Sequence, residues 1–193
     1  MEWKTIASEY LFRENWFTVR KDTCLRPDGK RVEPYYVYEF PTWVTALALT
    51  REGKVVMERQ YRHAIGLTAY ELPGGCVDPE DPDLVSAVSR ELREETGYSF
   101  DSFEYLGKTS SNPSTHNNWM HFFLARGGVR VTDPMLDENE DIEVQLMSLN
   151  EVKELVDRGE MIQSMHVTAC YHRSEEHTSE LQSHLNLVCR LLL

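Results

Sequence analysis

Residues 74–98 restrict the possible folds of this chain more than any other segment, because they combine a glycine loop with an acidic helix end. The segment Arg90–Tyr98 reads RELREETGY and holds three carboxylates within five residues. On a helix, residues three and four positions apart share one face, so Glu91, Glu94 and Glu95 should converge. Carboxylates this close repel each other, and a helix C-terminus disfavours anions. The cluster is therefore typical of a site that holds a hard divalent cation.

The residues before this cluster predict how the helix is presented. Glu71–Gly75 (ELPGG) predicts a strand end that runs into a tight glycine turn. Asp81 followed by Pro82 predicts a helix start with Asp81 as the N-cap. Gly97 is a helix stop signal. Apolar residues at helical spacing define the packed face: Leu84, Ala87, Val88 and Leu92. We expect a strand, a glycine loop and a capped helix whose acidic cluster is turned away from the packed face.

Together these residues resemble the signature of the Nudix hydrolase family. In that signature a glycine and a loop precede R-E-U-x-E-E-x-G-U, where U is a bulky apolar or aromatic residue, and every fixed position from Arg90 to Tyr98 matches. Upstream the chain departs from the pattern. Counted from Gly75, Asp81 stands where a glutamate is usual, and the spacer to Arg90 is one residue longer. The alternative is a solvated charged helix with an Arg90–Glu94 ion pair, but the strand–loop–helix context makes the match specific.

The resemblance implies a site and a chemistry. A Nudix hydrolase cleaves a diphosphate linked to another group, by attack of water on phosphorus with a divalent cation. The resemblance implies Mg²⁺, or Mn²⁺, as the cofactor, with Glu91, Glu95 and the Gly74 carbonyl as ligands. It makes Glu94 a catalytic residue, which contacts the cation either as a further ligand or through a water molecule. It gives Arg90 the role of orienting these glutamates.

A second acidic segment, Asp137–Asp141 (DENED), holds four carboxylates in five residues beside a predicted strand. In the ADP-ribose pyrophosphatase branch of the family, a loop of this kind supplies a catalytic glutamate and another metal ligand. We assign Glu138 as the general base and Glu140 as the ligand, with the reverse assignment as an alternative. A solvated acidic loop is the other interpretation, because charge runs are often no more than that.

Three further features resemble the ADP-ribose branch. Arg62 ends the strand before the signature, where related enzymes place an arginine on the phosphates or ribose of the substrate. Pro113 lies sixteen residues beyond Gly97, where a proline tends to mark ADP-sugar hydrolases. Residues 151–166 resemble the closing helix–turn–helix of the same branch. We therefore predict hydrolysis of ADP-ribose to AMP and ribose 5-phosphate.

The N-terminal strands add candidates for substrate binding. In the ADP-ribose branch they form a small sheet that packs across a homodimer and helps to bind adenine. Trp16 and Trp43, with Tyr36, are candidates for stacking the base, although aromatic residues are more often core or interface. Asn118 is a candidate for hydrogen bonding to ribose, in a polar loop that also carries Asn112, Ser114 and Asn117. A plain turn is the alternative for that loop.

Composition excludes several classes of partner. The chain has 32 acidic against 20 basic residues and a net charge of −12, without a basic block, which argues against duplex nucleic acid. No apolar run is long enough to span a membrane, and the opening residues are too polar for a secretion signal. Cys24, Cys76 and Cys170 are scattered and read as reduced thiols. We expect a cytoplasmic enzyme of nucleotide metabolism.

The order of elements predicts an α+β fold, a Nudix-like α/β/α sandwich around a mixed sheet with a small N-terminal antiparallel strand region. Residues 1–42 form that region in this prediction, with a role in dimerisation, and residues 43–172 form the hydrolase domain. Residues 173–193 resemble the translation of a sequencing adapter, so we expect an artefact there and leave the true C-terminus beyond residue 172 open. The predicted strands are 7–22, 31–41, 43–50, 54–61, 103–110, 120–126 and 142–148. The later predicted helices are 151–157, capped by Asn150 and ended by Gly159, and 162–171.

Two alternatives to the ADP-ribose prediction stay open. The same chemistry could act on NADH, a sugar nucleotide or a dinucleoside polyphosphate, because the signature serves the diphosphate and not its substituent. The chain could also be a non-catalytic Nudix domain that senses nucleotide. The intact Glu91, Glu94 and Glu95 argue against that sensor.

Overall fold

The structure is a computed structural model that describes residues 1–14 and 16–171. These residues form two compact units. The first combines Met1–Thr42 with Ser110–Trp119, and the second combines Trp43–Thr109 with residues 120–171. The predicted adapter-derived segment, 173–193, lies outside the described residues.

The first unit is built on a three-stranded antiparallel sheet. Its strands, in the order β1-β2-β3, are β1 (Lys4–Glu14), β2 (Phe17–Leu25) and β3 (Arg31–Glu39). The prediction of one strand over 7–22 is wrong, because the chain turns at Trp16 between β1 and β2. Aromatic residues on both sides of this turn hide the break, since they favour strand equally. The predicted turn at residues 27–29 is confirmed, and Arg26 N donates to Lys30 O across it.

Strand β1 is exposed along its whole length. It lies at the edge of the sheet and carries several large apolar side chains that are about half exposed: Ile6, Tyr10, Leu11 and Phe12. Exposed edge strands rich in apolar residues tend to pair or pack with another chain. This strand is therefore a candidate interaction surface.

The second unit contains a seven-stranded mixed sheet in the order β10-β5-β4-β9-β7, with β6 paired to β5 and β8 paired to β9. Strands β4 and β9 are parallel, and the other pairs are antiparallel. The predicted mixed sheet is confirmed. The strands are β4 (Trp43–Thr50), β5 (Val55–Arg62), β6 (Leu67–Glu71), β7 (Tyr98–Ser99), β8 (Ser102–Thr109), β9 (Met120–Arg130) and β10 (Ile142–Met147).

Helices cover both faces of this sheet. Alternate residues of a strand point to opposite faces of the sheet. On one face of β4, Leu47 and Leu49 belong to a core cluster with the second and third helices. On the other face, Val44, Ala46 and Ala48 belong to a core cluster with the first helix. The predicted α+β sandwich is confirmed. No helix in the described part of the chain is long and apolar enough to cross a bilayer. The helices are α1 (Leu84–Thr96), α2 (Leu149–Asp157) and α3 (Ser164–Tyr171).

The first helix starts later than the sequence predicts. Asp83 is the N-cap of α1, and its Oδ1 accepts a 2.7 Å hydrogen bond from the backbone of Ser86. The prediction of Asp81 as the cap is wrong, because Asp81 instead accepts hydrogen bonds from Arg90. Two aspartates flank Pro82, and only this long-range contact decides between them.

The start of the second helix also differs from its prediction. Ser148 is the N-cap of α2 and forms a capping box with Glu151, in which each side chain bonds the other's backbone. Asn150 lies inside the helix, so its predicted role as the cap is wrong. The predicted stop at Gly159 is consistent with the structure, since α2 ends at Asp157 and Gly159 has a φ of 68°.

Candidate active site

Helix α1 carries the acidic cluster to the edge of the core. It buries Ala87, Val88 and Leu92 and ends as predicted at Gly97. The φ of Gly97 is 76°, a value that residues other than glycine rarely adopt. The predicted orientation of the cluster is wrong in part. Glu95 is only 7% exposed, so it lies within the packed region rather than away from it.

The glycine loop lies directly against the buried Glu95 and the partly buried Glu91. The backbone N–H of Gly74 donates a 2.8 Å hydrogen bond to Glu95 Oε2. A Cβ added to Gly75 would lie 2.7 Å from the carboxyl atoms of Glu91, so a larger residue at Gly75 would displace this carboxylate from its present position. The loop is tied to β4, because Val44 N donates to the Gly75 carbonyl. The sequence order of strand, glycine loop and helix thus produces one compact arrangement of backbone and carboxylates.

Burial makes both carboxylates hard to ionise. Desolvation raises the pKa of Glu91 to about 7, although Arg90 opposes the change. Desolvation, followed by repulsion from Glu91, raises the pKa of Glu95 to about 8. A bound cation would favour the charged form of both acids, which burial disfavours.

A third glutamate, the buried Glu58 of β5, lies beside this pair. It is 3% exposed, and its Oε1 has no hydrogen-bond partner among the described residues. Burial and the neighbouring Glu95 raise the pKa of Glu58 well above its usual range. Nothing in the local sequence singles out Glu58, because a charged position in a strand usually faces solvent.

The donor chemistry of the cluster fits a hard divalent cation. All its side-chain donors are carboxylate oxygens, and those of Glu58 and Glu95 belong to buried side chains. Within residues 1–14 and 16–171, however, no group of three or more His, Cys, Asp or Glu side chains is arranged as a ready-made metal centre. A cation held by Glu91 and Glu95 would therefore need further oxygen ligands to be drawn towards it.

Arg90 connects the helix to the loop that precedes it. Its Nη1 lies 3.1 Å from Glu91 Oε1 and 3.0 Å from Glu94 Oε2, so the predicted ion pair with Glu94 is present. Its Nη2 donates to the Cys76 carbonyl at 3.0 Å and to Asp81 Oδ2 at 2.9 Å. Hydrogen bonding to Arg90 lowers the pKa of Asp81. These contacts show how the longer spacer is accommodated, since Asp81 folds back onto the helix.

The second acidic segment forms a turn between β9 and β10. Asp137 N donates a 2.9 Å hydrogen bond to Glu140 Oε2, and Glu140 N donates to the Asp137 carbonyl. Glu140 is partly buried and helps to raise the pKa of both Glu91 and Glu95, after burial as the main cause. Glu138 is exposed at the turn. The loop thus brings Glu140 within electrostatic reach of the cluster.

The predicted substrate-binding residues are scattered. Arg62, at the end of β5, forms a bidentate ion pair with the buried Glu71, a residue that the sequence analysis did not single out for the site. Trp43 packs against the core of the second unit, and its backbone bridges to Cys76 in the signature loop. Trp16 and Asn118 belong to the first unit.

Those two residues of the first unit have opposite environments. Trp16 is 73% exposed at the turn after β1, whereas Asn118 is buried. The Nδ2 of Asn118 donates a 2.9 Å hydrogen bond to the Pro41 carbonyl. Its Oδ1 has no hydrogen-bond partner among the described residues.

Comparison with known protein families gives two adjoining matches. Residues 3–38 match the nucleoside diphosphate sugar hydrolase N-terminal domain, and residues 40–165 match the NUDIX domain. The second match spans well over half of the chain.

Individual proteins are similar over most of their length. The chain is 32% identical to an ADP-ribose pyrophosphatase of Bacillus subtilis (strain 168) over 163 residues, which cover 83% of this chain and 86% of the relative. It is 29% identical to a methanol dehydrogenase activator of Bacillus methanolicus over 169 residues, covering 87% and 90%. A solved ADP compounds hydrolase has the same fold, with a TM-score of 0.75 at 20% identity, covering 89% of this chain and 92% of that one.

Proposed function

This chain belongs to the NUDIX family and is a pyrophosphohydrolase, and we propose that it hydrolyses ADP-ribose to AMP and ribose 5-phosphate with the help of Mg²⁺. NUDIX hydrolases generally need divalent cations. The further assignments of metal, substrate and residue roles are parts of the same proposal.

The observation that carries this proposal is the fit between the glycine loop and two glutamates, the buried Glu95 and the partly buried Glu91. Glu95 accepts a hydrogen bond from Gly74, and the carboxylate of Glu91 occupies the space beside Gly75. Keeping the buried carboxylate of Glu95 charged costs several kcal/mol unless a counter-charge is present. A binding site for a cation and the diphosphate that accompanies it accounts for that cost.

In this proposal Glu91 and Glu95 would hold the cation, and Glu140 and the Gly74 carbonyl would be its further ligands. When bound, the cation would neutralise charge on the diphosphate oxygens and lower the pKa of the attacking water. Arg90 keeps Glu91 and Glu94 in place, as its contacts to both carboxylates indicate. Glu94 holds a water or a further contact to the cation.

The remaining roles concern the proton and the substrate. Glu138 takes the proton of the attacking water, and its exposed position at the tip of the loop leaves it free to approach the site. The alternative is that Glu140 is the general base and Glu138 is the metal ligand. Arg62 binds the diphosphate, because it keeps an exposed guanidinium beside the acidic cluster. The stacking roles of Trp16 and Trp43 and the ribose contact of Asn118 stay predictions.

ADP-ribose is the favoured substrate because the ADP-ribose pyrophosphatase of B. subtilis is 32% identical to this chain over most of both chains. The match of residues 3–38 to a domain named for nucleoside diphosphate sugar hydrolases supports a sugar nucleotide as the second candidate. NADH and dinucleoside polyphosphates are the other substrates of the same chemistry.

We also assign β1 to a homodimer interface. Its exposed edge and apolar side chains would be covered by the same strand region of a second copy. The cysteines of the described residues are free, which supports a reducing compartment such as the cytoplasm.

The test is phosphate release from a panel of nucleoside diphosphate derivatives, coupled to a phosphatase, with Mg²⁺ and with EDTA. A clear preference for ADP-ribose that EDTA abolishes is the expected result. Equal hydrolysis of ADP-ribose and sugar nucleotides would refute the narrow substrate. No hydrolysis, with nucleotide still bound, would favour the nucleotide sensor.

A further inference from the structure

Arg62 and Glu71 form a bidentate ion pair at the ends of two neighbouring strands. Arg62 Nε donates to Glu71 Oε1 at 2.8 Å, and Nη2 donates to Oε2 at 2.5 Å. Strands β5 and β6 are antiparallel, and Glu71 lies opposite Glu58 rather than opposite Arg62. Glu58 and Arg62 are four residues apart on β5, so the side chains of Arg62 and Glu71 share one face of the sheet and meet along it. Two parallel hydrogen bonds fix the plane of a guanidinium as well as its position.

The two partners differ sharply in burial. The Glu71 side chain is 2% exposed, whereas that of Arg62 is 44% exposed. The carboxylate is therefore held inside the protein, and the guanidinium emerges at the surface. The pair engages Nε and Nη2, and Nη1 takes no part in it.

The pair borders the acidic cluster of the candidate active site. Arg62 interacts electrostatically with Glu95 and Glu58 as well as with Glu71. Glu71 stands three residues before Gly74, on the strand that leads into the glycine loop. A diphosphate bound at Glu91 and Glu95 would therefore have this guanidinium beside it.

Stability alone gives little reason to keep such a pair. Burying a carboxylate costs several kcal/mol, and apolar residues of similar volume often serve a core as well or better. The arrangement gives something that an apolar pair cannot, namely a surface cation whose orientation is set from inside the protein. His166 of α3 closes the inner side, with its Nδ1 3.9 Å from Glu71 Oε2.

We propose that Glu71 is a positioning residue, which holds Arg62 so that the outer edge of its guanidinium binds the diphosphate of the substrate. This inference rests on the proposed function, since it assumes that Arg62 binds the substrate. Glu71 itself touches neither substrate nor cation in this scheme. Its whole effect passes through Arg62.

The test compares Glu71→Gln, Arg62→Ala and the double variant. Glu71→Gln keeps the size of the side chain but cannot hold two charge-assisted hydrogen bonds, so we expect KM to rise about tenfold with a smaller change in kcat. The double variant should be no worse than Arg62→Ala alone, because Glu71 has no other route to the substrate. Additive losses in the double variant would overturn the proposal.

A matched control lies on the same strand. Arg59 and Glu143 form a similar ion pair between β5 and β10, with a distance of 3.3 Å and both side chains exposed. Glu143→Gln should leave KM unchanged. If Glu71→Gln lowers the melting temperature and kcat without raising KM, the role of Glu71 is structural and the proposal fails.

Arg62→Lys keeps the test decisive if Glu71→Gln does not fold. Lysine retains the charge at a partly exposed position but cannot form the bidentate pair, so KM should rise as in Glu71→Gln. An unchanged KM would overturn the positioning role. If the wild type is active and the variants have the same KM as the wild type, only the inference about Glu71 is refuted. If the wild type hydrolyses no nucleoside diphosphate derivative, the proposed function is refuted as well.

Discussion

Gly75 faces the carboxylate of Glu91 so closely that a methyl group at Gly75 would lie 2.7 Å from Cδ, Oε1 and Oε2. The carboxylate belongs to α1, and the glycine belongs to the loop that precedes it. The helix and the loop are therefore in close contact at the carboxylate of Glu91, which is a proposed cation ligand.

Replacing Gly75 with Ala should displace Glu91 and lower turnover by about tenfold or more, because even a small shift of a ligand weakens a cation site. Turnover at saturating substrate and its dependence on Mg²⁺ concentration measure the effect. Gly53→Ala is the control. Its methyl group would meet nothing within 4 Å, so its positive φ should cost about 1 kcal/mol of stability without changing turnover. Normal Mg²⁺ dependence in Gly75→Ala would contradict the proposed ligand.

Replacing Glu95 with Gln should lower kcat by at least about a hundredfold, because it removes one charge from the proposed cation ligands. The fold should be retained, since the amide has the same size and can still accept the hydrogen bond from Gly74. Kinetics and thermal unfolding together make the measurement. Glu154→Gln, on the exposed side of α2, is the control and should change neither. A full rate in Glu95→Gln would remove Glu95 from the site.

Replacing Arg90 with Lys should lower the free energy of unfolding by about 1–2 kcal/mol, because lysine cannot bridge Asp81, the Cys76 carbonyl and the two glutamates at once. Denaturant titration measures this loss. Arg130→Lys is the control, since its ion pair with Asp133 is exposed and contributes little. Equal stability of the two variants would show that Arg90 does not hold the loop.

His166 should make stability fall as the solution is acidified. Burial lowers the pKa of His166 to about 4, with Glu71 raising it and Arg62 lowering it further. The unfolded chain binds this proton near pH 6.5, so stability is full above that value and decreases as pH falls from 6.5 to 4. The total loss from this residue should be about 3 kcal/mol.

The difference in unfolding free energy between wild type and His166→Gln isolates this effect. Glutamine cannot titrate, so the difference should shift in favour of the variant between pH 6.5 and pH 4.5. Buried carboxylates such as Glu95 act in the opposite direction, but they are common to both proteins and cancel. A difference independent of pH would mean that His166 is already protonated or accessible in the folded state.

Replacing Phe12 with Glu on β1 should convert the proposed dimer into monomers, because a charge is costly to bury in an apolar interface. Light scattering coupled to gel filtration measures the mass. Val131→Glu introduces the same charge at an exposed apolar position of the second unit and should leave the mass unchanged. A monomeric wild type would refute the interface.

Local signals were enough to predict helix α1 and most of the sheet. The spacing of Ala87, Val88 and Leu92 and the stop at Gly97 are properties of neighbouring residues, so they can be read from the chain alone. The same holds for the turn at residues 27–29 and for β4, whose predicted bounds match the structure.

Features set by distant contacts could not be predicted in this way. Whether Asp81 or Asp83 caps α1 depends on Arg90, nine residues beyond Asp81. The burial of Glu58 depends on its cross-strand neighbours, Glu71 on β6 and Val144 on β10. A sequence pattern shows the residue type but not the partners that pairing brings beside it.

The parallel pairing of β4 with β9 sets the order in which the site can be assembled during synthesis. Trp43 pairs with Met120, and the glycine loop and α1 both lie between them in sequence. A nascent chain that ends after α1 therefore contains the signature glutamates but lacks β9, the strand that pairs with β4. We expect the cation site to mature only after β9 has left the ribosome, since contacts between distant segments form late.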